Sequence, residues 1–464
     1  MNDTICAVST APGMGGIAVI RVSGPEAITI CDRIFEPARA GNRLPMRQAN
    51  TLTYGTIRRG EELVDEVVVS LFRAPHSFTG EDTVEIACHG SLYIQQQLLQ
   101  LLVEQGCRGA RPGEYTERAF LNGRMDLSQA EAVADLIAST SAGAHRLAMN
   151  QMRGGFSKEL KRLRDQLLHV TSLMELELDF SDHEELEFAD RSELQALVTQ
   201  IEEVIGRLAR SFKLGNVIKN GIPVAIVGET NAGKSTLLNA LVGEERAIVS
   251  DIHGTTRDVI EDTVNLNGQL FRFIDTAGIR ETHDTIESLG IERTFRKLEQ
   301  ATIVLWLIDA TEAAAQYAAL APQIVPRCAD KQLILLYNKS DLLMPSGEPA
   351  GIVPDDLPAG VRTLFMSAKN GTHLAELQSL LIESAGLTHL SSADIIVTNV
   401  RHYEALTRAL ESIHRVQEGL AAQLSGDFVS QDLRECLFHL SDIVGEVTTD
   451  QVLANIFQHF CIGK

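Results

Sequence analysis

The chain has 464 residues, 44% hydrophobic and 22% charged, and Lys+Arg 41 against Asp+Glu 62 leaves a formal net charge of −21. That composition is globular, the length suits roughly two to four domains, and the acidic balance excludes a general polyanion binder while leaving room for a local basic patch that grips one RNA. No run approaches about 18 apolar residues and MNDTICAVST has neither a basic nor a long apolar region, so no membrane span or secretory signal is expected; seven cysteines without a C-x-x-C pair point to free thiols in a reducing, cytoplasmic setting.

Residues 1–120 alternate as strands do. GGIAVIRVSG, TLTYGTI, ELVDEVVVSLF and DTVEIACHG are short, β-rich and bounded by turn residues. YIQQQLLQLLVEQG, 93–106, predicts a helix stopped by Gly106, so the region reads as a small α+β domain. Over 120–215 the period changes. Leu160, Leu163, Leu167, Val170 and Met174 recur at three and four, the spacing of a helix with one apolar stripe. Arg146, Arg153, Lys158, Lys161, Arg162 and Arg164 gather ahead of it, and an acidic run follows from Glu175 to Asp190. Either cluster is a solvated face or a polar surface for a partner.

Residues 221–384 alternate strand and helix. IPVAIVG, FRFIDT, TIVLWLID and QLILLYN are apolar runs of the buried kind, the pattern of a parallel sheet with helices on both faces. From 399 onward Tyr403, Leu406, Leu410, Ile413, Leu420 and Leu424 restore the helical period. An α/β unit therefore sits between two helical segments, which are expected to pack together.

The sequence from Gly228 to Ser235, GETNAGKS, fits the phosphate-binding loop pattern between a strand and a helix. Its glycines let successive N–H groups of Asn231, Ala232, Gly233 and their neighbours face phosphate oxygens. Lys234 is expected on the β and γ phosphates, Ser235 on Mg²⁺, and Thr236 beside the nucleotide. Asn338-Lys339-Ser340-Asp341 follows a strand, and the Asp341 carboxylate can accept from both N1–H and the 2-amino group of guanine, which adenine lacks. Ser367-Ala368-Lys369 is expected to offer a backbone N–H to the guanine O6. Asp275-Thr276-Ala277-Gly278 ends a strand and is expected to sense the γ-phosphate, with Gly254-Thr255-Thr256-Arg257-Asp258 between. Any one of these short motifs is weak alone, but all five in this order inside one α/β unit point to a GTPase. Ile279 stands where many GTPases carry the glutamine that orients water, so Glu287, Asp284, Arg280 and Arg257 remain as candidates. Asn231 is either a loop former or a ligand for a monovalent cation that takes the place of an arginine finger.

These motifs, together with GGIAVIRVSG, SFTGEDTVEIACHG, RPGEYTERAFLNGRMDLSQAEAVADLI and the terminal CIGK, resemble the MnmE (TrmE) tRNA-modification GTPase family over essentially the whole chain. The resemblance implies a multidomain α/β and α+β fold. It implies an N-terminal folate-binding and dimerising domain over 1–119, a helical domain from 120–215 plus 385–464, and an inserted Ras-like P-loop domain over 216–384. It implies GTP hydrolysis activated by K⁺ and by homodimerisation. A flavin-dependent partner of the MnmG (GidA) type, in a heterotetramer, would then modify C5 of the wobble uridine of certain tRNAs, with a 5-formyl- or methylene-tetrahydrofolate as one-carbon source. Carried over by position, Asn231, Ser250, Ile252 and Thr255 look like K⁺ ligands. Thr256 joins Ser235 on Mg²⁺, and Asp251, His253 and Gly254 complete the loop around the nucleotide. Glu287 matches the catalytic glutamate beside Lys234. Arg21, Glu85, Arg124 and Lys464 match folate positions, and Cys461 a functional thiol. The GTP or GDP site, the tRNA and the partner need no membrane.

Other signals are weaker. CIGK fits the outline of a prenylation signal poorly, and His183-Glu184 with Glu187 is not a zinc signature. A regulatory GTPase acting on ribosomal RNA is the rival reading. Relatives of that type often carry an RNA-binding KH module, but residues 385–464 contain no GxxG loop. A scaffold with a vestigial GTPase is the third, and the intact motif set weighs against it.

Overall fold

A computed structural model describes residues 3–39, 41, 43–179, 191–244, 262–274, 298–343, 353–354, 357–358, 360–386, 395–458 and 460–463. The chain divides into two compact units, 1–137 with 151–203 and 405–464, and 138–150 with 204–404.

The N-terminal part is built on β1 (Ile5–Val8), β2 (Ile17–Ser23), β3 (Phe35–Pro37), β4 (Thr51–Arg59), β5 (Glu62–Phe72), β6 (Thr83–His89) and β7 (Arg108–Gly109). They form one sheet in the order β3-β4-β5-β6-β2-β1-β7, antiparallel throughout except for the last pair. Alternation decides its faces. Ala18, Ile20 and Val22 with Val84, Ile86 and Cys88 point to a core closed by α1 (Ala27–Ile34) and α2 (Leu92–Glu104). Arg21 and Glu85 stand on the opposite face, by the same two-residue period. There α3 (Glu114–Leu121) buries Tyr115 against Ile5, Ala7 and Phe78. The expected strands are all present. The structure adds β1, β3, β7 and α1, which are short and carry no long apolar run.

The helices α4 (Leu127–Ala138), α5 (Ala142–Met152), α6 (Gly155–Asp179) and α7 (Arg191–Asn220) follow. The stripe Leu160, Leu163, Leu167, Val170 and Met174 is buried on α6, as its spacing requires. The acidic run and the His183 cluster lie, for the most part, outside the described residues.

The second sheet comprises β8 (Ile222–Val227), β9 (Asp262–Leu266), β10 (Gln269–Phe273), β11 (Ile303–Asp309), β12 (Gln332–Asn338) and β13 (Arg362–Phe365), in the order β13-β12-β11-β8-β10-β9. Only β9 runs antiparallel; the Asn267-Gly268 pair, both at positive φ, makes the tight turn that joins it to β10. The parallel strands are apolar on both faces because both are covered. One face packs against α8 (Lys234–Glu244) and α10 (Leu374–Ser384), the other against α9 (Ala313–Ile324).

The chain ends in α11 (Val400–Ala421), α12 (Gly426–Val444) and α13 (Asp450–Phe457). Along α12 runs α6, and Leu453 and Phe457 of α13 pack on Leu127 and Ala130. Two residues of the α11 pattern depart from expectation. Leu424 falls beyond the helix and is exposed, while Tyr403 keeps part of its surface open and stacks on Phe212 at 4.6 Å between ring centroids.

Candidate functional site

In an α/β sheet the C-terminal ends of the parallel strands gather loops, and ligands bind there. The loop after β8 turns through Gly228, Asn231 and Gly233, all at positive φ. Two of these need glycine for space as well as for torsion. A Cβ on Gly228 would lie 2.3 Å from the Leu307 carbonyl oxygen, and one on Gly233 2.2 Å from Asn338 Nδ2. Lys234 opens α8 and its ammonium donates to the carbonyls of Gly228 (2.8 Å) and Glu229 (2.7 Å), so the charge is held across the loop it would serve. Ser235 lies in the first turn of the same helix, and the N-terminal N–H groups there favour an anion.

The loops after β12 and β13 meet this one through a single buried side chain. Asn338 donates from Nδ2 to the Ala232 carbonyl at 2.7 Å, and its Oδ1 accepts from the Ala368 N–H at 2.9 Å. The phosphate loop and two of the expected base motifs are thus one hydrogen-bonded unit. Ser367 is buried and closes its own turn, accepting from the Asn370 N–H and pairing with Thr372. Asp341 is exposed at the mouth. Sequence reasoning missed Asp309, which ends β11 and accepts from Lys339 Nζ at 2.7 Å. Burial opposes its charge, but hydrogen bonds from Lys339 and Thr311 prevail and hold the carboxyl below its usual range. An Asp that closes an otherwise apolar strand beside the base-reading strand was the available signal.

Ser250 to Thr256, Asp275 to Gly278, the candidates from Ile279 to Glu287, and Lys464 lie outside the described residues.

On the N-terminal sheet Arg21 and Glu85 are cross-strand partners. Arg21 donates from Nε to Glu85 Oε1 at 2.9 Å, and its second contact, at 2.8 Å, falls on the same oxygen. Among the described residues, no hydrogen bond falls on Oε2. The guanidinium lies 5.2 Å from the Phe78 ring centroid and 5.6 Å from that of Tyr115, whose hydroxyl donates to the Arg21 carbonyl. Neither aromatic had been singled out from the sequence. Arg124 is outside this pair. Its stem passes Gly80, where an added Cβ would come within 3.2 Å of Arg124 Cγ.

The chain terminus docks on the same unit. The Gly113 N–H donates to the Cys461 carbonyl at 3.3 Å, and the Ser9 hydroxyl to the Gly463 carbonyl at 3.1 Å. Gly463 sits at φ +95°, and a Cβ there would lie 2.2 Å from the Val8 carbonyl oxygen, so only glycine fits. Cys461 is exposed, whereas the other six thiols are buried and all seven are free.

A phosphate loop at the switch of a parallel sheet, hydrogen-bonded to the loop that carries the guanine-reading motif, defines a P-loop GTPase domain, here set within a longer helical chain. Residues 4–124 match the family model described as GTP-binding protein TrmE N-terminus, and residues 127–461 that of the MnmE helical domain. The tRNA modification GTPase MnmE of Parabacteroides distasonis is 69% identical over 463 residues, and that of Bacteroides fragilis 66% over 465, each match covering 100% of both chains. That of Bacteroides thetaiotaomicron is 64% identical with the same coverage. The chain belongs to the MnmE family of tRNA modification GTPases.

Proposed function

We propose that this chain is a cytoplasmic, K⁺-activated GTPase that turns over when two copies pair. It works with a flavin-dependent enzyme of the MnmG type, in a heterotetramer, to place an aminomethyl or carboxymethylaminomethyl group on C5 of the wobble uridine of certain tRNAs. A 5-formyl- or methylene-tetrahydrofolate is the one-carbon source.

The observation that carries the K⁺ reading is Asn231. It is exposed in the left-handed conformation of the phosphate loop, and its amide has no partner among the described residues. A side-chain carbonyl so placed suits a weakly hydrated monovalent cation, which would neutralise charge developing between the phosphates. Ser250, Ile252 and Thr255 are proposed as its further ligands, and Ser235 with Thr256 as those of Mg²⁺. Lys234 would shift from the loop carbonyls onto the phosphates. Ile279 has no polar atom to orient water, so that role is assigned to Glu287.

The donor set on the N-terminal sheet fits a folate. A pterin offers adjacent N–H donors, and Glu85 keeps Oε2 available while Arg21 fixes the carboxylate. Arg124 and Lys464 would meet the acidic tail, and Cys461 would lie beside the ligand. Bound there, the folate supplies a one-carbon unit at the formaldehyde or formate level.

A switch acting on ribosomal RNA is less well supported, because the described residues after the GTPase domain form helices and no strand for a KH sheet. The test is steady-state GTP hydrolysis in K⁺ and in Na⁺ at equal ionic strength. Much faster turnover in K⁺, lost in Asn231→Ala, is expected; equal rates would make Asn231 a loop former and point to activation by a separate protein.

A further inference from the structure

We propose that Asp309 is a positioning residue for guanine recognition, acting by holding Lys339 in the loop that reads the base. The inference rests on the guanine-nucleotide reading of that loop and adds a residue from a different strand to it.

Lys339 stands between buried Asn338 and exposed Asp341, and it has φ +63°, a conformation that non-glycine residues adopt at a cost. Something must hold such a residue in place. Asp309 is its register neighbour's partner: β11 and β12 pair with Asp309 opposite Asn338. The carboxylate divides its two oxygens. Oδ1 accepts from the Thr311 N–H at 3.0 Å and from Thr311 Oγ1 at 2.8 Å, which fixes the plane of the group. Oδ2 is thereby aimed at Lys339 Nζ, at 2.7 Å. The Asp309 backbone is pinned as well, since its N–H donates to Oε1 of buried Gln316 at 2.9 Å. The short turn 310–312 also lies against the turn 340–342.

The arrangement ties the end of β11 to the base loop by one charged contact. It sets the direction of the Lys339 stem two residues before Asp341, and so reduces the freedom the loop would otherwise lose when the base enters. Asp309 itself needs no contact with the nucleotide. Its loss should weaken binding and leave the chemical step alone.

The test uses the full chain and a fluorescent N-methylanthraniloyl-GDP, with Kd and dissociation rate from stopped flow, and steady-state hydrolysis of GTP. Asp309→Asn keeps shape and loses charge. It is expected to raise Kd and KM about tenfold, the scale of one partly exposed charged hydrogen bond, with kcat within about twofold. In a Lys339→Ala background the same change should add less than about twofold, because the residue it acts through is gone. Thr311→Val, at an exposed position, removes the hydroxyl bond to Oδ1 while the backbone N–H bond stays, so it loosens the carboxylate without removing it and should raise Kd by about two- to threefold in the same direction. It covers the case in which Asp309→Asn folds poorly. An undiminished effect of Asp309→Asn without Lys339, or a fall in kcat with KM unchanged, would overturn the assignment. Tight GDP binding that neither variant alters would also sink it, whereas failure of the unaltered chain to bind the GDP analogue would sink the nucleotide reading itself.

Discussion

The nucleotide loops and the Arg21–Glu85 face, the site proposed for folate, are both set on sheets, yet they are assembled in opposite ways. Around the phosphate loop, binding groups are mostly backbone N–H atoms, and each motif is contiguous in the chain. A buried residue, Asn338, joins two loops through hydrogen bonds to Ala232 and Ala368. On the N-terminal sheet the proposed binding groups are side chains, brought together from residues 64 apart in the chain. Support there comes from the aromatic rings of Phe78 and Tyr115 and from the charged network beneath α3. A backbone site is sensitive to a single methyl group; a side-chain site is sensitive to charge. That difference can be broken or sharpened by substitution.

The largest effect is expected at Arg118. It is 1% exposed and pairs with Asp3 at 2.8 Å, Glu81 at 3.1 Å and Glu114 at 3.2 Å. Arg118→Ala empties a buried position and takes one cationic partner from buried Glu114 and partly buried Glu81, a loss on the order of 3 kcal/mol, and should lower the denaturant midpoint of the N-terminal unit. GDP binding should persist. A parallel loss of GDP binding would show that the two sites do not depend on separate supports.

Gly233→Ala comes next. The added Cβ would meet Asn338 Nδ2 at 2.2 Å and displace the residue that joins the loops. A loss of about 2–3 kcal/mol, near a hundredfold in GDP affinity, is expected by calorimetry while folate binding is unchanged. Retained GDP affinity would mean that Asn338 is not the joint.

The acid limb of the stability curve should report Glu114. Burial works against its charge, but Arg108, the Arg111 N–H and Arg118 outweigh burial and bring its pKa from 4.5 to about 2. A depressed pKa in the folded state gives stability that is complete above pH 4.5 and is lost as pH falls toward about 2. Glu114→Gln should flatten that part of a pH-dependent unfolding series; an unchanged acid limb would assign it to other carboxylates.

Glu85→Gln should be the mildest for stability, with about 1 kcal/mol expected from a partly buried pair whose amide replacement can still accept from Arg21. It should still weaken binding of 5-formyl-tetrahydrofolate, read by titration calorimetry, because the amide presents only one acceptor to the ligand's donors. Equal binding would remove Glu85 from the folate site and leave the face without an assigned role.

Much of the GTPase half was legible because its information is local. The run GETNAGKS carries its own turn, and the apolar strands on either side say that it ends a buried parallel strand. The antiparallel β9 and the role of Asp309 were not legible in the same way. DTVNL lacks a long apolar run, and an Asp after WLI looks like the start of any loop. On the N-terminal side the strands could be read from their alternation, but not which residues would face one another. The roles proposed for residues from Ser250 to Thr256 and from Asp275 to Glu287 rest on chain pattern and family position.

By itself, the sequence determined the alternation of the longer strands and helices, the phosphate loop pattern and the helical stripe of α6. Each depends on spacing within one turn or one strand, where local sterics and periodicity decide. Tertiary structure alone decided that Arg21 meets Glu85 between two aromatic rings, that Asn338 links two loops, that Lys339 is held by Asp309, and that Gly463 lies against Val8. Those pairings follow from sheet register and from how many distant side chains can be buried at once. That sum runs over the whole chain, and no single segment of it carries the answer.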